Sequence, residues 1–400
     1  MQAVYIYDAI RTPRGKAKAD GGLHELRPHD LLKCLYSALS QRNGLDPQLV
    51  GEIVLGCVTQ HGEQAGNIAK TSSLYAGWPS SVGGLTVNRF CSSGIDAIAT
   101  GALKIGAGQE RAAVAGGVEM MSRVPMLADQ AAAFVDPKFA AACHMLMMGS
   151  GADLIASLCG VSREQADAIA LQSQQRAERA RREGYFTSIV PVANPVKDIT
   201  VTEDECIRAD TTAESLAQLA PAFAAIGSKG VDALQLASYP QLAAIEHVHT
   251  AGNSPAMADA AAVLLLGNEA LGKEISSRPR ARIIDAASAS DDPLQVLSGC
   301  VAATRKLMDR QGLDAAAIDL FELHEAFAAT VVKCQQDLGV SMDKLNVNGG
   351  VIAMGHPLGA TGAIMTGTLL DELERRGLKR GIVAASGAAG AGSALLIERL

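Results

Sequence analysis

Aromatic residues are scarce in this chain: Phe, Tyr and Trp together make up 4% of its 400 residues. That argues against the aromatic-studded basic surface on which single-stranded nucleic acids stack. Positive charge is not in excess either, with 35 Lys and Arg against 42 Asp and Glu and a formal charge of −7. This balance gives no support to a polyanion-binding protein, although local Lys and Arg groups remain able to hold a small phosphate. The eight cysteines, at 34, 57, 91, 143, 159, 206, 300 and 334, include no CxxC pair. Zinc and thioredoxin-like readings are therefore weak. No apolar run approaches the roughly 18 residues of a membrane span. Ala3-Val4-Tyr5-Ile6-Tyr7-Asp8 reads as a strand rather than a signal peptide. The expectation is a reduced, cytoplasmic protein with no nucleic-acid, membrane or metal partner.

What is present is glycine (40 residues) and a hydrophobic content of 48%, enough for a large core and two or three domains. The first ~120 residues alternate short apolar runs with helical stretches, as α/β layers do. Candidate strands are Val50 to Leu55, Leu85 to Asn88 and Ala112 to Gly116, with a Gly/Ala helix from Ser93 to Ala107. The last ~120 residues repeat the pattern with Arg280 to Ala286, Leu320 to Leu323, Leu345 to Val347 and Ile382 to Ala385. The halves echo each other. Val87-Asn88, a loop, a helix and Ala113-Val114-Ala115-Gly116-Gly117 parallel Val347-Asn348, a Gly loop, a helix over Ala363 to Arg376 and Val383-Ala384-Ala385-Ser386-Gly387. The expected fold class is α/β with a duplicated core. Its N-terminal half is formed by 1–119 with 250–272, and its C-terminal half by 273–400.

Residues 120–249 read as an insertion covering that core. They hold a Met-rich stretch including Met145, Met147 and Met148, and a polar helix from Ser162 to Gly184. The methionines suit either an adaptable apolar ligand surface or gap-filling in a core. The charged face of the helix over Glu164 to Arg182 is expected to be solvated, or its arginines to neutralise a ligand phosphate.

Three segments carry chemistry. Cys91 lies in Val87-Asn88-Arg89-Phe90-Cys91-Ser92-Ser93-Gly94, between a strand-like run and a helix start. Unpaired N–H groups and the positive end of the helix dipole are expected to favour its thiolate; a buried structural cysteine is the other reading. The second segment is Glu322-Leu323-His324-Glu325-Ala326-Phe327-Ala328. The third runs from Asn346 to Gly362, with His356 held by Pro357 among glycines that permit unusual backbone angles.

With these segments in order, the chain resembles a thiolase over essentially its whole length. Further support comes from Asp8 to Lys16, Gly116-Gly117-Val118-Glu119-Met120-Met121-Ser122, Ile207 to Thr212 and Thr250-Ala251-Gly252-Asn253. The resemblance implies two duplicated βαβαβαββ halves in five α/β layers with an inserted loop domain. It implies that Cys91 takes the acyl group from an acyl-CoA and that His356 removes the thiol proton. His324 stands where the family commonly has Asn, on the oxyanion side, and unlike Asn it can titrate. The backbone N–H groups of Cys91 and Ala388 are the expected oxyanion donors. No bound cofactor is implied; coenzyme A and acyl-CoA are substrates. A homodimer or homotetramer and a fatty-acid β-oxidation complex partner are implied in the same way.

The departures bear on turnover. Thiolases carry a second, proton-shuttling cysteine in a Cys-x-Gly-x-Gly-like loop, and here Ser386 occupies its place. A hydroxyl is a far weaker acid and no base near neutrality without a partner. Ser386 is then an engineered substitution, or a variant in which His324 or His356 takes over the proton, or the mark of an acyltransferase without C–C chemistry. A turnover-impaired CoA-binding protein is the remaining alternative. The coenzyme loop reads Ala251-Gly252-Asn253-Ser254-Pro255-Ala256, leaving Ser254, with Met148, as candidate coenzyme contacts. An added stretch from Gly227 to His249 is expected to reshape the acyl pocket or subunit contacts.

Overall fold

The computed structural model describes residues 2–400. Its main strands are β1 (Val4–Arg11), β2 (Glu52–Gly56), β3 (Gly83–Val87), β4 (Ala112–Met120), β5 (Ala258–Gly267), β6 (Ala281–Ser290), β7 (Leu320–Leu323), β8 (Arg380–Ser386) and β9 (Ala391–Arg399). They lie in the order β7-β8-β9-β6-β1-β5-β4-β2-β3. The order divides into two halves of like construction. β2 pairs in parallel with β3 and β4, while β4–β5 and β5–β1 are antiparallel. In the other half β7–β8 is parallel, and β8–β9 and β9–β6 are antiparallel. The halves meet where Val4, Tyr5 and Ile6 pair with Ile283, Arg282 and Ala281.

β4 and β5 are buried along their whole length because both of their faces are covered. Along β5, Leu264 and Leu266 face a core shared with Ile95, Ile98, Ile364, Leu369 and Leu370. The alternate residues Val263 and Leu265 face an outer core with Leu31, Leu35 and Tyr36. This period of two puts helices α1 (Ser93–Gly106) and α6 (Thr361–Arg376) between the half-sheets. Other helices, including α4 (Gly299–Gln311) and α5 (Ala328–Leu338), cover the outer face of the second half. Five α/β layers result. Small residues let the central helices touch: a Cβ at Gly94 would lie 2.8 Å from Ala363 N.

Beyond Met120, which ends β4, residues 121–249 contribute no strand to this sheet. They contain α2 (Met148–Cys159), α3 (Arg163–Arg182) and a two-stranded ribbon of Val192–Asn194 with Ile199–Val201. Ser162 and Gln165 start α3 as a reciprocal cap, with Ser162 N donating to Gln165 Oε1 at 2.9 Å.

Two expectations need correction. Leu345 to Val347 is not a full strand; only Leu345 bridges to Phe321. Asn346 has a φ of 46°. Its side chain bonds Leu323 N and Leu323 O at 2.8 Å each, doing what a neighbouring strand's backbone would do. Nor is α3 a simple solvated helix. Arg176 donates to the carbonyls of Leu345 (2.7 Å) and Met342 (2.9 Å), and Arg179 to Val347 O (2.9 Å). These two arginines hold the backbone that leads to His356, which leaves them with a structural task.

Candidate active site

The Cys91 loop is set by local hydrogen bonds. Phe90 takes a left-handed φ of 50°, a costly conformation for a bulky residue. Asn88 Oδ1 accepts from Phe90 N at 2.8 Å, and Ser93 Oγ accepts from Arg89 N at 2.8 Å. The turn delivers Cys91 just ahead of Ser92, the N-cap of α1. Ser92 Oγ donates to Ala385 O at 2.7 Å, tying the loop to the end of β8. The half-buried thiol departs from the expected thiolate. Burial pushes its pKa up to about 12, with the Glu119 charge acting in the same direction. Against those two effects the helix start is too weak to ionise it.

One residue beyond Ala385, Ser386 O accepts from His324 Nδ1 at 3.2 Å. A carbonyl can only accept, so Nδ1 carries the hydrogen and Nε2 of the neutral ring is bare. That Nε2 is buried and has no partner in the protein. The ring of His356 is 4.5 Å away, centroid to centroid. Thr361 Oγ1 donates to Pro357 O at 3.1 Å and so accepts from His356 Nδ1 at 2.7 Å. His356 Nε2 is therefore bare as well. Burial lowers the pKa of His324 to about 4. It also holds His356 well below 6.5, helped by the neighbouring His324 and Arg14. At neutral pH the resting groups are a thiol and two neutral imidazoles.

Two carboxylates overlooked in the sequence position these rings. Glu119, at the end of β4, accepts from Val58 N (3.0 Å), Thr59 N (3.1 Å), Gln64 Nε2 (2.7 Å) and Gly359 N (2.9 Å). It thereby pins the loop after His356. Glu325 accepts from Ser173 Oγ at 2.7 Å and from Asn346 Nδ2 and Ile352 N at 3.3 Å each. It joins the His324 loop to α3 and to the Asn346 segment. A lone acid at the end of the apolar run Ala112 to Val118 was the available signal for Glu119.

The other sequence candidates fall as follows. Ser386 is fully buried, and its hydroxyl donates to Leu297 O (2.6 Å) and accepts from Cys300 N (3.0 Å). It thus ties β8 to the start of α4. Ala388 is buried in an apolar cluster that Phe90 and Met148 also join. Among the described residues, the backbone N–H groups of Cys91 and Ala388 have no backbone acceptor. Ser254 Oγ is buried without a partner, and His356 N donates to Ala256 O two residues further on (2.8 Å). The added segment packs Leu234, Leu236, Tyr239 and Leu242 against the same apolar cluster. A cleft of about 600 Å³ lies elsewhere, lined by Arg89, Asp96, Leu103, Arg282 and Ser393. It touches neither histidine nor Cys91.

Comparison with known proteins agrees with this fold over the whole chain. Residues 4–235 match the thiolase N-terminal domain and residues 277–399 the thiolase C-terminal domain. A beta-ketoadipyl-CoA thiolase of Pseudomonas aeruginosa is 39% identical over 419 aligned residues, covering 99% of each chain. A 3-ketoacyl-CoA thiolase of Aliivibrio fischeri is 39% identical over 410 residues, covering 100% of both. The crystal structure of the Bacillus anthracis acetyl-CoA acetyltransferase matches with a TM-score of 0.87 at 35% identity, covering 100% of this chain and 99% of that one. Fold and matches together define a CoA-dependent acyltransferase of the EC 2.3.1 class. Within that class, the chain belongs to the thiolase family.

Proposed function

We propose that the chain interconverts a 3-oxoacyl-CoA plus CoA with acetyl-CoA plus a shortened acyl-CoA, through an acyl-Cys91 intermediate. The observation that carries this reading is the convergence of the Cys91 loop with two neutral imidazoles whose Nε2 atoms are bare. His356 takes the thiol proton as sulfur attacks, so the thiolate forms only during the reaction. The N–H groups of Cys91 and Ala388 receive the oxyanion, a role worth about 2.7–4 kcal/mol per donor. Ser254, with its unpartnered hydroxyl, and Met148 contact the coenzyme. The cluster containing Phe90, Phe327 and the added 227–249 segment forms the acyl wall.

We divide the chain into an N-terminal half (1–119 with 250–272), an inserted loop domain (120–249) and a C-terminal half (273–400). A homo-oligomer is supported by β3, an edge strand bearing the exposed Leu85, and by exposed Leu103 beside the open cleft. Among the described residues no helix is long and apolar enough to cross a membrane. We place the protein in the cytoplasm on its cysteine pattern, and in fatty-acid β-oxidation, with a complex partner, on its resemblance to those thiolases. The committed Ser386 hydroxyl favours one second reading, acyl transfer without C–C cleavage.

Thiolysis assays with 3-oxoacyl-CoAs of graded chain length separate the two. The proposal predicts CoA-dependent cleavage to acetyl-CoA. Acyl exchange between CoA thiols with no cleavage at any chain length would establish the second reading instead.

A further inference from the structure

We propose that His324 and His356 relay a single proton between their Nε2 atoms during turnover, and that this relay does the work assigned elsewhere in the family to a second thiol. The inference rests on the acyl-Cys91 reading above and adds the proton's route to it.

Three observations carry it. First, both Nδ1 atoms are fixed as donors, His324 to the Ser386 carbonyl and His356 to Thr361 Oγ1, so both proton-accepting atoms are Nε2. Second, His324 Nε2 is buried with no protein partner, beside a ring 4.5 Å away. A buried polar atom left bare costs stability unless the site uses it. Third, the Ser386 hydroxyl is held between Leu297 O and Cys300 N and has no free geometry for proton transfer. Burial, then charge on His324 and on Arg14, oppose charge on His356, so the two rings do not carry a proton charge together.

The route balances in both half-reactions. The Cys91 thiol gives its proton to His356 Nε2, and sulfur bonds to C3 of the 3-oxoacyl-CoA. The C2–C3 bond breaks, leaving its electron pair on C2 as the acetyl-CoA enolate. The proton passes from His356 to His324 Nε2 and on to C2, releasing acetyl-CoA. Incoming CoA then gives its thiol proton to His324, and its sulfur takes the acyl group from Cys91. That proton returns through His356 to the departing Cys91 sulfur. His324 is thus a catalytic residue for C–C bond cleavage, but not for acylation of Cys91 by a simple acyl-CoA.

The test measures two reactions in the parent enzyme and in His324→Asn and His324→Gln. One is exchange of the acetyl-CoA methyl protons with deuterated water, followed by NMR. The other is acylation of Cys91 by acetyl-CoA, followed by mass spectrometry. We expect both His324 variants to lose about 100-fold or more in exchange, the range of general acid–base catalysis, while still acylating Cys91. Exchange at the parental rate in either His324 variant would overturn the proposal, and so would loss of acylation together with exchange in both. Absence of acyl-Cys91 in the parent enzyme would instead overturn the reading on which it rests.

Discussion

At Cys91 two influences oppose each other. The start of α1 favours a thiolate, while burial and the nearby Glu119 favour the thiol, and the second pair dominates. The free enzyme should therefore react with iodoacetamide at Cys91 at a rate rising about tenfold per pH unit from about 7 to 9, tracking the thiolate fraction. Peptide mass spectrometry of timed samples gives the rate, and a plateau already reached near pH 7 would show a preformed thiolate. The sequence made this cysteine legible as a candidate because it falls between a strand and a helix. Its protonation was not legible, because it depends on burial in the folded chain and on the charge of Glu119, which the sequence places 28 residues away. His324 shows the same division. Its motif was readable, but its bare Nε2 exists only because Ser386 O lies beside it.

Among elements, the added 227–249 segment is anchored by ionisable groups. His247 Nδ1 lies 2.8 Å from Asp153 Oδ2 on α2, and its Nε2 lies 3.1 Å from Asp232 Oδ2. Asp153 also accepts from His249 Nδ1 at 2.7 Å, and His249 Nε2 accepts from Ala329 N on α5 (3.2 Å). The clamp thus reaches the helix that follows the His324 loop. Burial alone would lower the His247 pKa, but the two carboxylates together outweigh it and raise it above 6.5. A raised pKa means stabilisation that is full below about 6.5 and lost as pH rises through the folded value. Urea midpoints of the parent and His247→Gln should differ most near pH 6 and converge at higher pH; a gap independent of pH would exclude the clamp. Strands and helices were the most readable part of the chain. The Leu345 to Val347 run misled because a side chain, Asn346, replaces the backbone pairing that an apolar run suggests. The arginines of α3 misled because their acceptors are carbonyls far along the chain.

For the whole molecule, the duplicated core and the insertion are joined by a buried charge cluster. Asp204 accepts from Arg11 Nη1 (2.6 Å) and Nη2 (3.0 Å) and from Arg14 N (2.8 Å) and Nη1 (3.0 Å). All three side chains are 1% exposed, so removing the carboxylate leaves two guanidinium groups buried without their counter-charge. Asp204→Asn should cost about 3–5 kcal/mol in a denaturant titration, and a cost under about 1 kcal/mol would mean that water replaces the carboxylate. The charge of Arg14 also lowers the pKa of His356, so this cluster couples the stability of the core to the electrostatics of that ring. The echo of the two halves in the sequence anticipated the duplicated sheet. It did not show that Arg11, Arg14 and Asp204, far apart in the chain, would meet in one buried cluster.

The most direct measurement is the mass of the Cys91 peptide after the enzyme is mixed with a 3-oxoacyl-CoA and quenched before CoA is added. The account predicts the mass of the shortened acyl group on Cys91, with one acetyl-CoA released per acylated site, and its disappearance when CoA follows. An unmodified Cys91 while acetyl-CoA accumulates, or cleavage undiminished in Cys91→Ala, would contradict it.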